Sequence, residues 1–275
     1  MSDAEEVPPG VDPTVPSAGR LYDFYLGGTE HLEIDRAAAA HIKAKVPELE
    51  DIAWSNRGFL QRATSWLAAE AGIRQFIDIG AGLPTRNNTH EAAQKVTEDA
   101  RTVYVDNDPM ILAHAKGLLA DAKNTTFITG DLREPDEILD NPELRGLIDL
   151  DQPVGLVLAA VVHFVSDESD PWQLVKRYMN ALTPGSYLVL SHITADKVSP
   201  AGVQAFLDVY SNASEKGYFR TKEEVTRLFD GLELVPPYEG AAPSVTFTGL
   251  WGAEDPEAAD SDGSRWGYCG VARRP

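Results

Sequence analysis

Residues 75–84, Gln-Phe-Ile-Asp-Ile-Gly-Ala-Gly-Leu-Pro, decide the fold of this chain of 275 residues. The first five are a short apolar run that predicts a buried strand, and Gly80 and Gly82 follow it. Glycines one residue apart permit a sharp turn and a close approach of the backbone to a ligand. The start of the next helix favours anionic groups. A plain strand–turn–helix connection has the same pattern, so these glycines alone leave a binding role and a structural role open.

Strands and helices alternate along the rest of the chain. Residues 154–162 carry no charge, which is typical of a strand buried on both faces. The alternation predicts an α/β fold: a Rossmann-like, doubly wound, mostly parallel seven-stranded sheet with helices on both faces and an N-terminal helical cap. The predicted strands cover residues 75–79, 102–105, 125–128, 154–162, 186–191, 232–235 and 268–272.

The N-terminal region has a different composition. Residues 1–17 combine prolines with acidic residues, which predicts a disordered tail. Helical periodicity follows over residues 31–46 and again from Ser55 to Gly72. The expected organisation is a tail over 1–17 and a single domain over 18–275, which comprises a helical cap over 18–72, an α/β core over 73–275 and, within the core, a long loop over 237–265.

The formal net charge is −19, and most of it lies in three acidic stretches, residues 1–15, 131–151 and 252–263. Phosphate binding needs clustered lysine and arginine, so this acidity argues against nucleic acid as a partner and leaves a small molecule possible. Cys269 is the only cysteine, which suits a reducing cytoplasm. Neither an apolar run of membrane length nor a metal-site spacing of histidine and cysteine is present. We therefore expect a cytoplasmic protein with no membrane partner and no metal.

An acidic side chain follows the second predicted strand. Asp106, 28 residues after Asp78, stands where a carboxylate can accept both hydroxyls of a ribose. The alternative is an N-cap for the helix that begins at Pro109, and Asp108 suits that role better because it directly precedes the proline. Asp106 is therefore the ribose candidate.

Another acid, Asp131, follows the third predicted strand. Its carboxylate can accept a hydrogen bond from the exocyclic amine of adenine, while the Leu132 amide reaches a ring nitrogen. Taken alone, Asp131 is better explained by an Asx turn. Together with the glycine loop and Asp106, it specifies an adenosine ligand without phosphate. Thr85 stands where a dinucleotide loop has its third glycine, which disfavours a pyrophosphate.

This combination of glycine loop, ribose acid and adenine acid resembles class I S-adenosylmethionine-dependent methyltransferases. Three stretches, Arg20–Gly28, Asn56–Leu60 and Asp78–Pro84, together resemble one family in that class. It is a largely actinobacterial S-adenosyl methyltransferase family, formerly a domain of unknown function. The resemblance covers roughly residues 18–235 and the terminal strand. It implies the fold, S-adenosylmethionine as cofactor and S-adenosylhomocysteine as product, and it implies no substrate.

The resemblance also implies a set of cofactor contacts. The glycine loop lies under the methionine part, the residues after the second strand meet the ribose, and those after the third strand meet the adenine. Residues 159–164 form the wall beside the reactive sulfonium. The expected cofactor-binding residues are Tyr22, Gly28, Arg57, Asp78, Gly80, Ala81, Gly82, Asp106, Asn107, Asp131, Leu132 and Ala160.

Several further side chains could act beside the methionine part. A cation near a helix start opposes the helix dipole, so Arg57 is expected to pair with the methionine carboxylate, and a solvated residue near the helix start is the alternative. Tyr22 and Tyr25 either close over the sulfonium, since aromatic faces attract cations, or pack the N-terminal helices on the sheet. His163, just past the fourth strand, is the candidate catalytic base, and a wall histidine satisfied by backbone is the alternative. His192 is a weaker candidate.

We therefore predict an S-adenosylmethionine-dependent methyltransferase, EC class 2.1.1, that methylates O, N or C of a small molecule. Residues 159–164, Ala-Ala-Val-Val-His-Phe, lack the Asn/Asp-Pro-Pro-aromatic run of amino-directed nucleic-acid methyltransferases, which argues against a DNA base. Two alternatives stay open. One is a non-catalytic regulator that binds S-adenosylmethionine. The other is an NAD-dependent oxidoreductase, which Asp106 suits but Thr85 and Asp131 do not.

Overall fold

The computed structural model describes residues 11–83, 88–119 and 122–275. Predictions for residues 1–10 of the tail, and for Pro84 and Thr85 of the glycine loop, lie outside these ranges. The α-helices are α1 (Ala18–Tyr25), α2 (Glu33–Lys43), α3 (Leu49–Ala69), α4 (Thr89–Gln94), α5 (Pro109–Leu118), α6 (Pro135–Leu139), α7 (Pro142–Leu147), α8 (Pro171–Ala181), α9 (Pro200–Tyr210), α10 (Lys222–Arg227) and α11 (Pro256–Ala259). The strands are β1 (Gln75–Ile79), β2 (Arg101–Asp106), β3 (Thr125–Thr129), β4 (Gly155–Ala159), β5 (Tyr187–Ile193), β6 (Glu233–Leu234), β7 (Thr246–Phe247) and β8 (Gly267–Arg273).

The strands form one sheet in the order β3-β2-β1-β4-β5-β8-β6. The neighbours from β3 to β5 are parallel, and β8 is antiparallel to both β5 and β6. The two-residue β7 pairs with β8 outside this path. The predicted mostly parallel, seven-stranded sheet is confirmed, with β7 as an addition. Because the strand order reverses between β1 and β4, a ligand site is expected at the carboxyl ends of these strands.

Side chains along the central strands alternate between two buried layers. Ile77 and Ile79 belong to a layer that also contains residues of α6, α7 and α8. Phe76 belongs to the opposite layer, with Phe59 and Leu67 of α3. This period of two is the strand periodicity, and it places helices on both faces of the sheet, as predicted.

The N-terminal helices pack with α9 at one end of the sheet. Leu21 of α1, Ile42 of α2 and Phe206 of α9 are buried in one apolar cluster. Trp266, just before β8, is buried in it, and Ile193 at the end of β5 packs against it. This cluster therefore fixes α1 and α9 beside the carboxyl end of β5.

Packed structure begins before α1. Pro16 and Ser17 are buried, although the sequence predicts a disordered tail up to residue 17. The Ser17 N–H donates to Asp35 at 3.0 Å, and its hydroxyl donates to Asp108 at 2.9 Å. These bonds join the segment before α1 to α2 and to the turn after β2.

α3 begins earlier than the sequence predicts. It starts at Leu49 rather than near Ser55, because Leu49 and Ala53 are already buried at helical spacing. Glu50 and Asp51 in its first turn also complement the helix dipole. In the described part of the chain, α3 and the other helices all lack the combination of length and apolar character that crossing a membrane requires.

Two other predicted segments differ in the structure. β4 ends at Ala159, because Ala160 has a φ of +56° and cannot continue a strand. Val162–Phe164 form a 3-10 turn instead. The predicted loop over 237–265 contains β7 and α11.

Candidate functional site

A cavity of about 210 Å³ lies at the carboxyl ends of β1 to β5, where the strand order reverses. Residues of α1, α3 and α9 line its other sides. Gly28 is the one predicted site residue that the structure does not bring to this cavity: a Cβ there would collide with the Asp23 carboxylate, so Gly28 serves local packing. The predicted residues that line the cavity are Tyr22, Arg57, Asp78, Gly80, Ala81, Gly82, Asp106, Asn107, Asp131, Leu132, Ala160 and His163.

The glycine loop turns sharply at the end of β1. Gly80 has a φ of +70°, and a Cβ there would collide with the Val161 side chain, so the position requires glycine. Gly82 has a φ of +62°, and no atom of the described residues lies within 4 Å of where its Cβ would be. The N–H groups of Gly80 and Ala81 donate to the Val105 carbonyl at 2.8 and 3.2 Å. The loop is therefore tied to β2, and the described residues leave space beside Gly82.

Asp106 joins the glycine loop to the end of β2. Its two carboxylate oxygens accept the N–H groups of Gly82 at 2.9 Å and of Asp108 at 3.0 Å. Burial raises the pKa of this carboxyl to about 6, against the opposing effect of these N–H groups. Each oxygen keeps a lone pair, so Asp106 can accept two hydroxyls of a ligand. Asn107 is exposed, and its side chain donates to Glu215 at 3.4 Å.

Arg57 brings a buried positive charge to the cavity. Its side chain lies over the Tyr22 ring, 5.5 Å from the centroid, and its Nε–H has no hydrogen-bond partner among the described residues. Nearby Asp78 accepts the Thr89 hydroxyl at 2.6 Å. Burial raises the Asp78 pKa to about 6, although Thr89 and Arg57 oppose that rise. A buried guanidinium with an unsatisfied N–H at a cavity wall is suited to a carboxylate ligand.

A chain of hydrogen bonds holds Tyr22 in place. Its hydroxyl accepts the Asn56 side-chain amide at 2.9 Å, and the Asn56 oxygen accepts the Ser191 hydroxyl at 2.5 Å. Ser191 Oγ in turn accepts the Ala160 N–H at 2.9 Å. The Tyr22 hydroxyl thus links α1 to α3 and β5, which agrees with the predicted packing role, and its ring lines the cavity against Arg57.

Asp131 and Leu132 follow β3. The Asp131 carboxylate accepts Nε and Nη2 of Arg133, both at 2.8 Å. Burial raises its pKa, but the bonds from Arg133 outweigh burial and hold it below the usual value. Arg133 also reaches Glu215 at 3.5 Å. The Leu132 N–H donates to no acceptor within the described residues, so it can bind a ligand directly. Oδ1 of Asp131 accepts both the backbone N–H and Nε of Arg133, so Oδ2, which accepts Nη2, has more capacity left for a ligand.

The two histidines at the cavity differ in their hydrogen bonds. Arginine is only a donor, so Nε2 of His192 accepts from Arg220 at 2.7 Å, and Nδ1 then donates to the Ile193 carbonyl at 2.7 Å. His163 Nδ1 is buried without a partner among the described residues. Burial, together with the charge of Arg220, lowers the His163 pKa to about 3. His192 is thus a wall histidine with both nitrogens bonded, and His163 is a neutral ring with hydrogen-bonding capacity left.

The cavity has two halves along the sheet order. The half at the ends of β1 to β3 carries the charges, and the half at the ends of β4 and β5, under α9, carries most of the aromatic rings. We call the first the charged half, defined by Arg57, Asp78, Gly80, Ala81, Gly82, Asp106, Asn107, Asp108, Asp131, Leu132 and Arg133. We call the second the aromatic half, defined by Tyr25, His163, Phe164, Ile193, Phe206, Tyr210 and Trp266.

Sequence reasoning missed most of the aromatic half. Phe206 and Tyr210 lie one turn apart on α9, and their rings are stacked at 6.0 Å with an angle of 11°. Their spacing is a readable signal of a shared helix face, but nothing in the sequence places that face on the cavity. Glu215 was missed for the same reason, since it reaches the charged half from the loop after α9.

A Rossmann-like sheet with a glycine loop and two acidic strand ends at its switch point defines the class of S-adenosylmethionine-dependent methyltransferases. A family model described as S-adenosyl methyltransferase matches residues 4–275. The chain belongs to this family, whose cofactor is S-adenosylmethionine. Membership decides against the oxidoreductase alternative.

Solved structures agree with this assignment. A candidate methyltransferase from Thermobifida fusca is 40% identical, with a TM-score of 0.88 over 98% of this chain and 99% of that one. A DUF574 family protein from Streptomyces avermitilis is 39% identical, with a TM-score of 0.88 over 96% and 99%. OxaC, solved with S-adenosylhomocysteine and oxaline, shares the fold at 17% identity and a TM-score of 0.50, over 80% of this chain and 47% of that one. The comparison with curated proteins gives no match.

Proposed function

We propose that this protein transfers the methyl group of S-adenosylmethionine to a small molecule, and that the cofactor binds in the charged half. The supporting observation is a match of unsatisfied groups. The free N–H of Arg57 suits the methionine carboxylate, the remaining lone pairs of Asp106 suit the ribose hydroxyls, and the free Leu132 N–H suits an adenine ring nitrogen.

Other residues of the charged half support these contacts. Asp131 accepts the exocyclic amine of adenine through the oxygen that also accepts Nη2 of Arg133, and the exposed Asn107 borders the ribose. Gly82 leaves room for the methionine part beside the loop. Asp78 and the Tyr22 ring keep the Arg57 guanidinium at the cavity wall.

When bound, the cofactor supplies a methyl group on a positively charged sulfur, and this sulfur keeps the electron pair of the carbon–sulfur bond when a lone pair of the acceptor bonds to the methyl carbon. The leaving group is already activated, so the chain contributes alignment and exclusion of water. Ala160 suits this role, because its unusual φ is held by bonds from its N–H to the carbonyl and hydroxyl of Ser191. The backbone there forms a fixed wall beside the cavity.

A small acceptor suits the cavity better than a macromolecule. The cavity is about 210 Å³ and lies beneath α1, α3 and α9. The net charge of −19 disfavours a polyanionic partner such as nucleic acid. We therefore assign the acceptor to the small molecules.

Calorimetric titration with S-adenosylmethionine, S-adenosylhomocysteine and NADH tests the proposal. We expect micromolar binding of the two sulfur compounds and no binding of NADH. Binding of NADH alone, or of none of the three, would contradict it. Binding of both sulfur compounds without methyl transfer to any metabolite pool would indicate the regulator instead.

A further inference from the structure

We infer that the methyl acceptor binds in the aromatic half and is an uncharged, flat aromatic molecule whose hydroxyl group hydrogen-bonds to His163. The inference rests on the proposed function, because it takes the charged half as the site of the cofactor. It adds the chemical class of the acceptor and the group that receives its proton.

The rings of the aromatic half present flat apolar walls. Phe206 is stacked with Tyr210 at 6.0 Å and 11°, and it lies 5.1 Å from Trp266. The Phe164 ring lies 5.9 Å from Tyr210 at 34°. Ring faces gain most from offset or edge contacts with another aromatic ring, so this arrangement favours a planar aromatic guest.

A second cavity of about 40 Å³ adjoins the aromatic half and shares five lining residues with the first. No Asp, Glu, Lys or Arg of the described residues lines it. The nearby Arg220 guanidinium is buried behind His192 and is already bonded to the Val165 carbonyl and to Asp167. A buried charge without a counter-ion costs several kcal/mol or more, so an ionised acceptor is disfavoured. The lining residues of the second cavity are His163, Phe164, Ile193, Phe206, Leu207, Tyr210, Gly217 and Phe219.

One buried polar atom in this half lacks a partner within the described residues. It is Nδ1 of His163, a residue that lines the cavity. An unsatisfied buried polar group is rare and calls for a partner. A neutral imidazole offers one acceptor and one donor. A guest hydroxyl is therefore the group that satisfies this wall without adding charge.

His163 can also receive the hydroxyl proton of the acceptor. The acceptor oxygen bonds to the methyl carbon, and the electron pair of the carbon–sulfur bond returns to sulfur. The electron pair of the O–H bond stays on oxygen, and the proton moves to a ring nitrogen of His163. A methylated oxygen that still holds its proton is a strong acid, so it protonates even a histidine whose pKa is about 3. The positive charge brought by the sulfonium thus ends on the imidazole.

The test is a titration of the protein saturated with S-adenosylhomocysteine. The probes are 2-naphthol and 2-naphthoate, which share a ring system and differ in charge, and naphthalene fluorescence reports binding. We expect 2-naphthol to bind with a Kd at least about tenfold lower, because no cationic side chain of the described residues lines the aromatic half and Arg220, behind His192, is already bonded to Asp167.

Two variants locate the binding. His163→Phe keeps a flat ring and removes both nitrogens, so the Kd of 2-naphthol should rise about three- to tenfold. Gly217→Val narrows the second cavity, since a Cβ at this position lies in ordinary contact with Tyr210, and it should also weaken 2-naphthol binding. His41→Phe is the matched control, because the His41 side chain is 57% exposed and lies outside the cavity. All three should bind S-adenosylhomocysteine as the unaltered protein does.

The outcomes separate the two proposals. If S-adenosylhomocysteine does not bind, the proposed function fails and the inference falls with it. If it binds but 2-naphthol does not, or if 2-naphthoate binds equally well, the inference alone is overturned. It is also overturned if a folded His163→Phe and a folded Gly217→Val both bind 2-naphthol unchanged.

Discussion

The charged half and the aromatic half are neighbours in space but come from different kinds of chain segment. The charged half is assembled mainly from the turns that follow β1, β2 and β3, and residues 78–133 supply nearly all of it. The aromatic half joins α1, the turn after β4, the end of β5, α9 and the approach to β8. The sheet order brings the first half together except for Arg57, which α3 supplies, whereas the second half depends on how the helical cap packs. Changes in one half should therefore leave binding to the other largely intact.

The largest expected effect is at Asp106. Asp106→Ala removes two charge-assisted contacts to the ribose, worth about 1.5–3 kcal/mol, so the Kd of S-adenosylhomocysteine should rise about 10- to 150-fold. Calorimetry measures it, with Asp230→Ala as the control because Asp230 is exposed and lies outside the cavity. A folded Asp106→Ala protein with unchanged affinity would remove Asp106 from the site.

Arg57 should act on only one end of the cofactor. Arg57→Gln should weaken S-adenosylhomocysteine about tenfold, because a charge-assisted bond to its carboxylate is lost. Methylthioadenosine has no carboxylate, so its Kd should stay within about twofold. Equal weakening of both ligands would show that Arg57 supports the cavity in general rather than the carboxylate.

Cofactor affinity should fall at acid pH. Burial raises the pKa of Asp106 to about 6 in the ligand-free protein, and hydroxyl donors favour the ionised form. Below pH 6 a proton must leave on binding, so between pH 7.5 and 5 the Kd of S-adenosylhomocysteine should rise about tenfold. Asp78, whose pKa is also raised to about 6, should also lower the cofactor affinity at acid pH, through its interaction with Arg57. Asp106→Asn should flatten the profile, and an unaltered profile in that variant would assign the titration to another group.

The smallest expected effect is at Arg133. Its pair with Asp131 is about two-fifths exposed on the Arg133 side, and exposed pairs contribute about 0.2–1 kcal/mol. Arg133→Ala frees the carboxylate for adenine and should tighten S-adenosylhomocysteine by at most about fivefold. Weaker binding would mean that Arg133 itself contacts the ligand.

The sequence predicts the charged half because its residues lie next to strand ends that apolar runs make visible. Gly80, Asp106 and Asp131 each follow such a run, and parallel strands bring their carboxyl ends to one edge. Leu132 is predicted together with Asp131, because its backbone N–H is the next one after the same strand end. Gly28 follows no strand, and its position against Asp23 depends on the turn after α1.

Most of the aromatic half could not be predicted, because Ile193, Phe206, Tyr210 and Trp266 are joined to the rest only by tertiary packing. Tyr25 and Tyr210 are separated by most of the chain, and their meeting depends on α1 and α9 sharing one apolar cluster. The early start of α3 and the two buried residues before α1 were missed for a related reason. Local composition near Pro16 and Leu49 resembles that of a loop, and burial against distant residues outweighs it.

A crystal structure with S-adenosylhomocysteine bound tests the two-half account most directly. The account predicts adenine beside Leu132 and Asp131, ribose hydroxyls on Asp106 and the carboxylate on Arg57, with no cofactor atom between Phe206 and His163. Adenine or homocysteine lodged in the aromatic half would contradict it, because the acceptor would then have no place in that half.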